Sequence, residues 1–172
     1  FGPRSFPADL RAFAHRPVTR YIVGPANEQM AVHVSGQLVI GRAPLICLAG
    51  FQRNMSDFAD FAAQFRRSFG EDWLVILIDL KGRGRSADRS DKSRYISTVD
   101  AKDVIQLMAA LGVEAGLFVG QGHGGQVVMA LAAERPVLVA GAVLIDAGPV
   151  SDPRGLVRLR NNLHDLEGHR SE

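Results

Sequence analysis

The segment Val119-Gly-Gln-Gly-His-Gly-Gly125 gathers four glycines around one imidazole, at a point where an apolar run gives way to a helical pattern. Gly120-x-Gly122-x-x-Gly125 has the spacing of a dinucleotide fingerprint. Asp146 follows Gly125 by 21 positions, where an acidic residue would hold a ribose. Against that chemistry, two strand–helix units precede the glycines, whereas the fingerprint opens its domain. His123 is a candidate general base or metal ligand, but no companion His, Cys or carboxylate stands at ligand spacing, so no metal is expected. Asp79 and Asp146 each end an apolar run and are candidate carboxylates; their competing role is to fix a turn.

The elements that must hold these residues alternate along the chain. Tyr21–Val23 and Met30–Val34 read as strands of a hairpin across the turn formers Gly24-Pro-Ala-Asn27. Leu45–Leu48 reads as a buried strand, Ser56–Ser68 as a helix capped by Ser56, and Trp73–Ile78 as a strand covered on both faces. Phe58, Phe61, Ala62 and Phe65 recur at helical spacing and are expected to form a core stripe rather than a binding box. Thr98–Leu111 reads as a helix stopped by Gly112, Leu117–Val119 as a strand, Gly124–Ala133 as a helix and Val139–Ile145 as a strand. The expectation is an α/β fold: a mostly parallel sheet with helices on both faces. Residues 1–17 form an N-terminal arm in this reading, 18–150 the core, and 151–172 a polar segment that departs from it.

Three strand ends, where ligands bind in such sheets, resemble motifs of the α/β-hydrolase family. Gly120-Gln-Gly-His-Gly124 resembles the nucleophile elbow, G-x-S-x-G, with Gly122 where the family carries Ser or, in some branches, Asp. The elbow needs small residues two positions either side of its centre, because the backbone is pinched between strand and helix. Glycine suits the strained backbone and supplies no nucleophile. Asp79-x-x-Gly-x-Gly-x-Ser86 resembles the loop after the fourth strand, and Leu48-Ala-Gly-Phe51 the segment that supplies an oxyanion-hole amide. The resemblance implies that the amides of Phe51 and His123 hold the oxyanion. It makes Asp146 a candidate triad acid, since some branches place the acid after this strand. It also implies that the sheet ends before its last strands, that the usual acid and the catalytic histidine lie beyond residue 172, and that 151–172 begins a cap. A sheet halted there would need its missing edge from elsewhere, as in a homo-oligomer.

Composition agrees with one folded globular domain: 172 residues, 47% hydrophobic, net charge +2. Lys and Arg are scattered, which argues against nucleic acid as a partner; Arg66-Arg67 and Arg83/Arg85 are read as solvated. The single Cys47 lies in an apolar run and reads as a small buried hydrophobe. No apolar run is long enough to cross a membrane, and no signal peptide is evident, so a cytoplasmic location is expected. The resemblance implies hydrolysis of an ester-like or related small-molecule substrate without cofactor, in a chain made inert by Gly122. A pseudo-hydrolase that binds a small molecule or a protein, a cofactor-free dioxygenase on the same fold, and an NAD-binding enzyme remain open alternatives.

Overall fold

The sheet is built around Leu45–Leu48, four residues that are all buried. The computed structural model describes residues 17–50 and 52–146. The arm up to residue 16, Phe51, and the segment from 147 onward, including the expected cap, lie outside the described residues. Six strands, β1 (Thr19–Val23), β2 (Glu28–Ser35), β3 (Leu45–Leu48), β4 (Val75–Ile78), β5 (Gly116–Gln121) and β6 (Val139–Ile145), take the order β1-β2-β4-β3-β5-β6. β3 pairs in parallel with β4 and β5, and β5 with β6, while β1–β2 and β2–β4 are antiparallel. The sheet is thus parallel at its centre with an antiparallel hairpin at one edge, as the sequence pattern predicts.

Alternation along β3 and β4 divides the core in two. Ile46, Leu48, Ile76 and Ile78 face helices α2 (Ser97–Ala110) and α3 (His123–Glu134), where they meet Val104, Leu107, Val127, Val128 and Leu131. Leu45, Cys47, Val75 and Leu77 face the other way, toward Ala62 of α1 (Ala59–Phe69) and Met55 and Phe58 just before it. Runs that are apolar at every position are what a strand covered on both faces requires. Cys47 is fully buried, and burial pushes its thiol up to about 12.

Three expectations are corrected. Ser56 does not cap the first helix. A 3₁₀ turn, Met55–Phe58, precedes α1, and Asn54 caps it, its side-chain oxygen accepting from the Ser56 amide at 3.0 Å. The phenylalanine stripe is only partly core: Phe58 is buried, but Phe61 is 44% exposed and continues through Phe65 to an edge-on contact with Trp73 at 5.3 Å. Periodicity identifies the shared face of these rings but not how far the sheet extends beneath it. Finally, Arg83 is buried beside the Asp100 carboxylate, and Arg85 is half-buried with its guanidinium at the Met55 sulfur and within the field of Asp79.

Candidate active site

β5 enters and α3 leaves the corner at Gly122, whose φ of 55° and ψ of −117° lie where L-residues are strained. The flanking glycines are required by packing. A Cβ on Gly120 would lie 2.5 Å from the Gly124 carbonyl oxygen, and one on Gly124 would lie 2.2 Å from that of Leu48. Strand β5, the end of β3 and the first turn of α3 therefore touch backbone to backbone. Of the glycines that also spell a dinucleotide fingerprint, Gly120 is accounted for by this close approach. Gly122 differs: among the described residues a Cβ there would meet only the Gly50 Cα, at 3.7 Å. The corner is further fixed by the Gly122 amide donating to the Ile145 carbonyl at 2.8 Å.

That open direction faces a cavity of about 540 Å³ lined by Gly50, Arg53, Asp57, Gln121, Gly122 and Asp146. The ends of β3, β5 and β6 meet there; the third segment expected at the site, Asp79–Ser86 after β4, contributes no residue to its lining. Arg53 forks onto Asp57 through two hydrogen bonds of 2.7 Å, one helical turn apart, so one wall is a fixed ion pair. Asp146, with φ of 47°, stands at the end of β6 on the same cavity. Phe51 lies outside the described residues; its neighbour Gly50 faces Gly122 across the cleft.

Asp79 lies outside this lining and ties the loop after β4 to the turn before α1. Its Oδ1 accepts from the Met55 amide at 2.8 Å and its Oδ2 from the Arg85 amide at 2.9 Å. Burial pushes its carboxyl above the usual range despite these amides and the nearby Arg85 charge. Ser86 continues the knot, its hydroxyl donating to the Asp79 carbonyl and accepting from the Ala31 amide. Asp79 therefore serves the turn-fixing role.

His123 does not put its ring among the cavity-lining residues. Its Nε2 lies 2.7 Å from the Asp100 carboxylate in the first turn of α2. A carboxylate only accepts, so Nε2 carries the hydrogen. Asp100 is fully buried and also accepts from Arg89, with Arg83 at 3.6 Å. Arg89 bridges to Asp103 at 2.7 Å, Asp103 to Lys81 at 3.3 Å, and Lys81 to Glu28 at 2.9 Å. Burial pushes the Asp100 carboxyl up, but hydrogen bonds from His123 and Arg89 and the neighbouring guanidinium charges hold it below its ordinary range. This buried line of alternating charge is the part of the site the sequence reading missed. Its one visible trace is that Asp100 and Asp103 occupy the i, i+3 positions that continue into Val104 and Leu107 on the apolar face of α2. Among the described residues no group of three or more His, Cys, Asp or Glu is arranged to hold a metal ion, and no helix is long and apolar enough to cross a membrane.

The fold and this corner place the chain in a known class. The family model described as alpha/beta hydrolase fold matches residues 43–165, and the chain belongs to that family. It is 31% identical over 138 residues to a 3-hydroxybutyrate-oligomer hydrolase of Cupriavidus necator, covering 80% of this chain and 45% of that protein. An α/β hydrolase from Novosphingobium aromaticivorans superposes with a TM-score of 0.68 at 32% identity, over 84% of this chain and 49% of the other. A serine-to-glycine mutant of the N-acyl homoserine lactonase AidH, complexed with N-hexanoyl homoserine lactone, superposes at 0.65 with 28% identity, over 78% and 47%. The chain spans about half the length of these relatives.

Proposed function

We propose that this chain forms the elbow half of a hydrolase site for an ester-like or related small-molecule substrate, and that with Gly122 the site holds its ligand without cleaving it. The observation that carries this reading is the direction of the missing side chain: from Gly122 it would enter the cavity beside Gly50, with no closer contact among the described residues than the Gly50 Cα at 3.7 Å. In the family's covalent chemistry a nucleophile there attacks the substrate and a base–acid pair activates it. The amides of Phe51 and His123 then stabilise the developing oxyanion. Asp146 is the acid candidate within the chain, supported by its place on the same cavity. The names of the relatives, a hydrolase of hydroxybutyrate oligomers and a lactonase, support a carbonyl-centred substrate.

A binding protein of the same fold is the second reading, favoured by the glycine itself. The test is Gly122→Ser in the whole protein, assayed with short p-nitrophenyl esters. Turnover by the variant and not by the parent supports a hydrolase lacking its nucleophile. No turnover by either, with tight retention of a small molecule or protein, supports the binding protein.

A further inference from the structure

In Gly122-His-Gly-Gly125 the only side chain is that of His123. Glycine backbones have the widest conformational choice of any residue, so the peptide planes of this corner have one lateral handle, the imidazole. That handle is held by a group built for permanence: Asp100 is fully buried, in the first turn of a helix whose positive end favours its charge, and fixed from its other side by Arg89. The groups facing the ring's partner are Arg83 and Arg89, backed by Asp103, Lys81 and Glu28.

We infer that Asp100 and the His123 imidazole are positioning residues: their buried hydrogen bond aims the His123 backbone amide at the cavity. Neither side chain touches the ligand. The inference rests on the proposed hydrolase reading for its catalytic consequence, but the aiming itself is a property of the chain. A displacement of about 1 Å at a reacting centre lowers turnover about 100-fold, so a loosened amide acts on kcat rather than on binding.

The experiment has two arms, both in the whole protein. In the Gly122→Ser background, Asp100→Ala and His123→Ala are expected to lower kcat about 10-fold or more with KM little changed. His123→Gln and Asp100→Asn, which can restore a neutral hydrogen bond, are expected to recover part of the loss. Turnover by Gly122→Ser that Asp100→Ala and His123→Ala leave unaltered overturns the inference and spares the function. In the other arm, nitrogen-15 spectra of the parent protein are recorded with and without Asp100→Ala. The inference expects the His123 Nε2–H signal to be lost and the His123 backbone amide to shift and exchange faster, while the β3 and β4 amides stay in place. An unmoved His123 amide overturns it, whatever the ester assay gives. An inactive Gly122→Ser protein with a shifted amide refutes the hydrolase reading alone.

Discussion

The carboxylate of Asp79 fills the space that a side chain at Gly84 would need: a Cβ on Gly84 would lie 2.1 Å from Asp79 Oδ2. The loop after β4 therefore closes on its own first residue, and Gly84, with φ of 51°, also takes a backbone form that disfavours a side chain. Gly84→Ala is expected to destabilise the protein by about 2–5 kcal/mol, the sum of the left-handed penalty and overpacking. Urea denaturation measures it, and a loss under about 1 kcal/mol would contradict the packing described.

The glycines of the elbow separate into two kinds. Gly120→Ala and Gly124→Ala force a Cβ against backbone and are expected to cost about 3 kcal/mol or more. Gly122→Ser makes only an ordinary contact with the Gly50 Cα, at 3.7 Å, among the described residues, and bears chiefly the positive-φ penalty, about 1–2 kcal/mol. Gly41→Ala, at φ of 79° with no described atom within 4 Å, is the control for that penalty alone. Thermal unfolding of the four variants should rank Gly122→Ser beside Gly41→Ala, well above the other two.

Arg89 joins Asp100 to Asp103 within the buried charge line. Arg89→Met leaves two buried carboxylates short of a partner and is expected to cost about 3–5 kcal/mol. Chemical denaturation reads this directly, and a near-neutral result would mean the line is solvated rather than buried.

The same line sets an acid limit. Burial pushes the Glu28 carboxyl up, but hydrogen bonds from Lys81 and Ser90 and the Lys81 charge outweigh it and lower it from 4.5 to about 2. A carboxyl lowered in the folded state stabilises the fold fully above its unfolded value and loses that contribution as pH falls through the folded one. Stability should therefore drop between pH 4.5 and about 2. Glu28→Gln should flatten this segment of the stability–pH curve while lowering the plateau above it. An unchanged slope would remove Glu28 from the account.

Cys47 supplies a probe of opening. With its thiol pushed up to about 12 and fully buried, it should stay unreacted with a disulfide reagent near neutral pH in the folded protein. Reaction should begin at the denaturation midpoint found by circular dichroism. Prompt labelling of the native protein would show that β3 is more accessible than its packing implies.

What could be read in the sequence was whatever has few physical solutions. A backbone pinched between strand and helix admits only glycine at 120 and 124, and β6 spans Val139–Ile145 as its apolar run predicts. The charge line was hidden for the opposite reason. Its members come from β2, the loop after β4, α2 and α3, and each one alone looks like a surface residue until the fold brings its partner within reach. Arg83 is such a residue, buried only because Asp100 lies beside it. Phe61 was misjudged because spacing tells which residues share a side of a helix, not whether anything covers that side.

Lys81 is bound to the Val23 carbonyl, 58 positions earlier, at 2.7 Å, and through Asp103, Arg89 and Asp100 it is tied to His123. This linkage bears on the order of assembly. The corner cannot take its final shape from neighbours in the chain, because the grip on its imidazole is complete only after the hairpin, the loop and α2 have come together. Long-range closures of this kind slow folding. Damage to the distant hairpin should therefore first appear as lost order around residue 123.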